Sequence, residues 1–178
     1  AIYLALLLST PARADEPDPA RAATAQSLYE SANADMDSKN YVEARKKLEE
    51  VVKLLPDALG AQLTLAECYE NLGKLASAWA QYSMVAALAP KQGQPERAQR
   101  AADRAADLRP RLATLTITVP PDVARIPGIS ITRDRIPVGE AQWGTPVPVD
   151  TGGHEIAVTA PGRATWTKQV EVLANGTT

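Results

Sequence analysis

The sequence predicts an α+β protein in two segregated parts: helical hairpins in the N-terminal half and a small antiparallel β-sandwich in the C-terminal half. Three observations carry that prediction. Matching residues recur 34 positions apart between about 25 and 92. The apolar period changes from that of a helix to strict alternation after Pro110, and Gly and Pro then punctuate the chain at short intervals.

At 178 residues and 45% hydrophobic content, two small cores can form. Aromatic residues make up only 4%, with no Phe, while Ala is abundant, so the helices are expected to pack closely through small side chains. The formal charge of −2 removes the counterion-release term that drives binding to nucleic acid, and DNA and RNA are not expected as partners. The single cysteine, Cys68, excludes an internal disulfide and a multi-cysteine metal site; no metal or cofactor is expected.

In chain order, "AIYLALLL" followed by "STPARA" places Ala12 and Ala14 at the small positions of a secretory cleavage site. Residues 1–14 therefore read as the end of a signal peptide, with a retained signal anchor as the second reading; no Cys stands where a lipoprotein needs one. Residues 15–21, acidic and broken by Pro, read as an extended linker. From 22 to 110 the 34-residue echo pairs Ala32 with Ala66, Ala44 with Ala78, Val51 with Val85, Leu54 with Leu88 and Pro56 with Pro90, while Leu48 and Tyr82 share a large position. Each unit, about 25–58 and 59–92, is two antiparallel helices. Gly73 ends the first helix of the second unit and Asn40 takes the equivalent turn in the first, ahead of Leu75 and Tyr41. The pairs Glu43 with Lys47 and Glu49 with Lys53 mark a solvated face, and Trp79 is expected between units. Ala98, Ala101, Ala105 and Leu108 form a narrow apolar stripe, with arginines on other faces, in a capping helix over about 94–109.

Leu65, Ala66, Tyr69, Gly73, Ala78, Tyr82 and Pro90 sit where the tetratricopeptide repeat wants them, and the second unit resembles that family. The first resembles it through Ala32, Tyr41, Ala44, Leu48 and Pro56, with Ser31 and Asp35 where larger apolar residues are usual. The resemblance implies a concave face built from first helices that binds a protein or peptide partner. Tyr29, Asn33, Met36 and Asp37 of the first unit and Leu63, Glu67, Glu70 and Asn71 of the second would line it. That lining has no lysine with which to clamp a terminal carboxylate. Its acids suit a segment with basic and apolar residues.

The β half, 111–174, begins with Leu115, Ile117 and Val119 alternating with threonines. "GISIT", "TPVPV", "HEIAVT" and "WTKQVEV" follow as further strands, with Pro148 marking an edge. Gly139, Gly144, Thr145, Pro146, Gly153 and His154 are arranged as in the PEGA-type domain, a small β module of bacterial envelope proteins, which this half resembles. The resemblance implies no catalytic residues.

Asp150-Thr151-Gly152 is the tripeptide of aspartic proteases, whose chemistry needs two carboxylates sharing a proton. With one such motif, the segment reads as a hairpin loop in which Asp150 caps the turn. His154 shares phase with Ile156 and Val158, and a lone His makes neither a metal site nor a triad. Cys68 reads as a small hydrophobe in a helix. Trp166 shares phase with Val170 and Val172 and is expected in the core. Trp143, ahead of Gly144, is either a contact for a glycan or partner or a lid folded over the core.

Together these features imply a non-catalytic interaction or scaffold protein of the bacterial cell envelope, periplasmic or extracytoplasmic, with the β module as spacer or attachment. Peptidoglycan or carbohydrate binding through the β module is the alternative. Membrane association is expected only through a retained anchor or a segment beyond "LANGTT".

Overall fold

The computed structural model describes residues 18–174, so the expected signal segment 1–14 lies outside the described residues. Helices α1 (Pro19–Asp37), α2 (Tyr41–Leu54), α3 (Leu59–Asn71), α4 (Leu75–Leu88) and α5 (Pro95–Leu108) come first. Helix α1 starts inside the stretch read as a linker, which corrects that boundary. Asp18 Oδ1 accepts the Ala20 N–H at 3.2 Å and Pro19 takes the first helical position, where a missing N–H costs nothing. The acid and the proline that suggested a linker are helix-start signals.

Each connection after a first helix is the same device. Asn40 N–H bonds Asp35 O and Lys39 N–H bonds Met36 O after α1; Lys74 N–H bonds Tyr69 O and Gly73 N–H bonds Glu70 O after α3. This doubly bonded stop requires one residue in the left-handed region. Gly73 supplies it at φ 73°, and its 34-residue equivalent is Lys39, at φ 58°, rather than Asn40. Asn40 instead begins α2, without a side-chain cap.

The alanines do what their spacing implies. Ala32, Ala44, Ala66, Ala78 and Ala101 are completely buried at the contacts between helices. Larger groups fill what remains: Leu48, Leu65 and Cys68 between the two units, and Leu59, Tyr82, Val85 and Leu108 between the second unit and α5, with Trp79 half-buried against them. Each fully buried Leu or Val contributes about 1.5–3 kcal/mol. The exposed charges of α2 pair differently from the expected order. Glu43 meets Lys46 at 2.6 Å, Glu50 meets Lys53 at 3.0 Å, and Lys47 reaches across to Asp35 on α1 at 2.5 Å.

The C-terminal half comprises β1 (Ala113–Leu115), a short helix α6 (Pro121–Ala124), β2 (Ser130–Arg133), β3 (Ile136–Pro137), β4 (Val147–Val149), β5 (Gly152–Thr159) and β6 (Trp166–Val172). All pairings are antiparallel. Strands β1 and β4 form one sheet, and β3-β2-β5-β6 form the other. Pro148 lies on β4, which pairs only with β1, so its missing N–H weakens no ladder on the open side. Leu115, Val149, Ile131, Val138, Ile156 and Val172 make the core between the sheets. The outer face carries Thr132, Glu155, Thr167 and Gln169, where Gln169 Nε2 donates to Glu155 Oε2 at 3.3 Å.

Trp166 departs from its expected place in the core. Cross-strand pairing with Val158 does put it in phase with the inner face, yet it is 52% exposed. The covering strands β1 and β4 are three residues each, and they roof the end of β6 that holds Val172. The other end of β6 has no roof. Acrylamide should therefore quench a distinct part of the fluorescence of the three tryptophans, and Trp166→Phe should abolish that part; quenching unchanged in the variant would mean the ring is covered.

Candidate partner groove and the D-T-G seam

Helix α3, the first helix of the second unit, and the capping helix α5 flank an open cavity of about 690 Å³. Leu63, Glu67, Glu70 and Asn71 come from α3 and Tyr82 from α4. Arg100, Asp103 and Arg104 come from α5, and Arg111 from the turn that follows it. Four of the residues expected to bind a partner are thus brought together. The first-unit residues are not among them. Tyr29 donates or accepts a 3.1 Å hydrogen bond with the Thr64 hydroxyl and packs, with Met36, against the helix core; Asn33 is half-buried and Asp37 exposed outside this cavity.

The groove is more balanced in charge than its α3 side suggests. Arg104 Nη2 donates to Glu70 Oε1 at 2.6 Å, and the Tyr82 hydroxyl donates to Glu70 Oε2 at 3.1 Å, so both carboxylate oxygens are engaged. Burial raises the Tyr82 phenol above its ordinary range; Arg104 opposes the rise and Glu70 adds to it. Burial also raises Glu67, against the pull of Arg104 and Arg100. The apolar stripe of α5 puts its arginines on other faces but does not fix where they point. Arg100 and Arg104 each precede a buried alanine, Ala101 and Ala105, and one residue back along a helix is the neighbouring face. Arg111 had no periodic signal because it lies in a connector. These side chains correct the expectation of an acidic lining suited to a basic segment.

The D-T-G segment is a seam between the two halves. Strands β4 and β5 belong to different sheets, so Asp150 and Thr151 make a crossover rather than a hairpin. Asp150 does not cap its own turn. Its Oδ1 accepts the Ser77 backbone N–H at 3.0 Å and its Oδ2 accepts the Ser77 hydroxyl at 2.6 Å. Helix α4 begins after Lys74 with no cap of its own, and the third residue of its first turn is Ser77. Asp150 therefore supplies, from the other half of the molecule, the N-terminal cap that α4 lacks. Lys74 Nζ stands 3.9 Å from the same carboxylate.

His154 anchors the seam from behind. Its Nε2 lies 2.8 Å from the Asp150 carbonyl oxygen, and its Nδ1 lies 2.6 Å from Asp134 Oδ2. Asp134 and Arg135 form the two-residue turn between β2 and β3 with φ of 51° and 67°, the left-handed pair that a tight hairpin needs. Asp134 Oδ1 also accepts the Glu155 N–H at 2.9 Å. Burial works to raise the Asp134 carboxyl, but the bonds from His154 and the Glu155 amide outweigh it and hold the group below its ordinary value.

The remaining candidates are accounted for by packing. The Trp143 indole N–H donates to the Val138 carbonyl at 3.3 Å, and the half-buried ring lies on the β core, the lid arrangement rather than an open platform. Cys68 is fully buried, its thiol is pushed up to about 11 by desolvation, and Sγ donates to the Tyr41 carbonyl at 3.2 Å. Among the described residues no group of three or more His, Cys, Asp or Glu side chains could hold a metal ion, and no helix is long and apolar enough to cross a membrane.

Stacked antiparallel helix pairs, with a groove between the second pair and the helix that caps it, define the class of the helical half: a repeat array. Residues 35–101 match the family model of the tetratricopeptide repeat, in agreement with the resemblance read from the sequence. That match runs from the end of α1 into α5 and does not include the β half. The chain is similar to a crystal structure of a tetratricopeptide repeat domain protein from Salinibacter ruber, at 22% identity and a TM-score of 0.44, over 48% of this chain and 94% of that one. It is also similar to a solution NMR structure of a tetratricopeptide repeat domain protein from Salinibacter ruber, at 21% identity and a TM-score of 0.45, over 53% of this chain and 90% of that one. No curated protein matches the chain.

Proposed function

We propose that this chain is a non-catalytic interaction protein of the bacterial cell envelope. Its α3–α5 groove takes an extended segment of a partner protein, and its β half, PEGA-like in its turn residues, sets spacing or attachment. One observation supports the reading most: the open cavity of about 690 Å³ between a first helix and the capping helix, lined by charged side chains and a buried tyrosine. Grooves between helices admit peptide segments through a few anchoring side chains, and tetratricopeptide repeats are in general protein-binding elements. Asp150, the residue that suggested hydrolysis, commits both carboxylate oxygens to Ser77. The apolar run and small-residue site in residues 1–14 support an extracytoplasmic location.

Photo-crosslinking in the native host tests this with the whole chain. A crosslinking amino acid at Asn71, exposed in the groove, should yield a protein adduct in the periplasmic fraction, while one at Gln169, on the outer face of the β half, should not. Equal adducts at both positions, or none at Asn71, would overturn the groove. Recovery of the chain in the cytoplasm alone would overturn the location.

A further inference from the structure

We propose that the groove continues across the seam onto the β half, and that the segment it takes is polypeptide with an acidic side chain seated at Arg111. This rests on the groove reading above and adds the partner's path and chemistry. A second cavity, of about 260 Å³, is lined by Glu70, Leu75 and Arg111 on the helical side and by Val149 and Thr151 on the β side. Glu70 and Arg111 line both cavities, so the two adjoin at these side chains. The far wall is fixed in place, because Asp150 stands between Val149 and Thr151 and holds Ser77 through both carboxylate oxygens.

The charges along this path decide what fits. Glu70 is satisfied by Arg104 and Tyr82, Arg104 also faces Asp107 at 3.8 Å, and Asp103 accepts from Gln99 at 2.8 Å. Arg100 stands close enough to Glu67 to lower it. Among the described residues, no ion pair or side-chain hydrogen bond engages Arg111. A guanidinium presents five donors in a fork that matches a carboxylate, so an acidic side chain gains most at this point. A basic segment would instead meet Arg100 and Arg111 with Glu70 already committed. A nucleic acid would bring a phosphate at every step past Glu67, Glu70 and Asp103, on a chain of net charge −2.

A random-peptide phage library panned on the whole chain tests the proposal. Recovered peptides should be enriched in Asp and Glu. A synthetic copy of one should bind Arg111→Glu about tenfold more weakly or worse, the effect of losing a charge-assisted pair. Arg109→Glu, in the same turn but outside both cavities, should leave binding unchanged. Thr151→Trp, which fills the second cavity from the β wall, should also weaken binding. Peptides without acidic enrichment, or binding indifferent to Arg111→Glu, would overturn the charge assignment while the groove itself stands. Binding indifferent to Thr151→Trp would overturn the path across the seam. Recovery of no peptide at all would overturn this proposal together with the function on which it rests.

Discussion

Tyr82→Ala should destabilise the helical half by about 3–5 kcal/mol, the usual cost of emptying a large aromatic site. Small domains hold only about 5–15 kcal/mol in total, so a substantial unfolded fraction is expected on mild heating. Tyr82 is 1% exposed, the largest fully buried side chain of the described residues. It sits among Leu59, Val85, Ala78, Ala101 and Leu108, and alanines have no side chain that can swing into the space a ring leaves. The hydroxyl adds a second, smaller effect through Glu70. Tyr82→Phe keeps the ring and loses only that bond, so it should cost about 1 kcal/mol. Urea denaturation followed by circular dichroism separates the two. Equal midpoints for the Ala and Phe variants would mean that the neighbours close over the cavity.

Asp150→Ala should lower stability by about 1–3 kcal/mol, combining the loss of a helix cap with a partly buried hydroxyl left without its acceptor. The carboxylate is only 15% exposed, so water replaces it poorly. Its more telling effect is local. The Ser77 amide should exchange its proton with solvent much faster, while amides in the middle of α4 keep their protection. NMR relaxation should show the two halves reorienting more independently. Asp150→Asn keeps an acceptor oxygen and should preserve part of both effects. Unaltered Ser77 exchange in Asp150→Ala would show that α4 is capped some other way.

The helical pairs, the capping helix and most strands were legible because each depends on a local period. The alanine echo marks helix contacts that are in fact completely buried, and alternation of Ile156 with Val158 marks the inner face of β5. Period alone did not place Trp166, since exposure there depends on how far a different sheet extends. The left-handed position at Lys39 is masked in the sequence because Asn40 next to it is the better turn former, although it follows from counting 34 residues back from Gly73. The repeat phase of α3 accounts for one wall of the candidate groove, Leu63, Glu67, Glu70 and Asn71. The other wall needed the direction of α5 and of a connector, which depend on packing between elements. The D-T-G segment is a crossover where local pattern implies a hairpin, because the partner of Asp150 is 73 residues away and no local pattern reports a contact of that separation.

That separation also sets an order of events during folding. As the chain leaves the ribosome from its N-terminus, all of α4 is available long before residue 150 has been made, and its first turn must wait uncapped. The helical half is thus completed by a residue of the half synthesised after it. A fragment cut at the end of α5 would keep every repeat and still lack one end of a helix, so the boundary visible in the periodicity is not a boundary of stability.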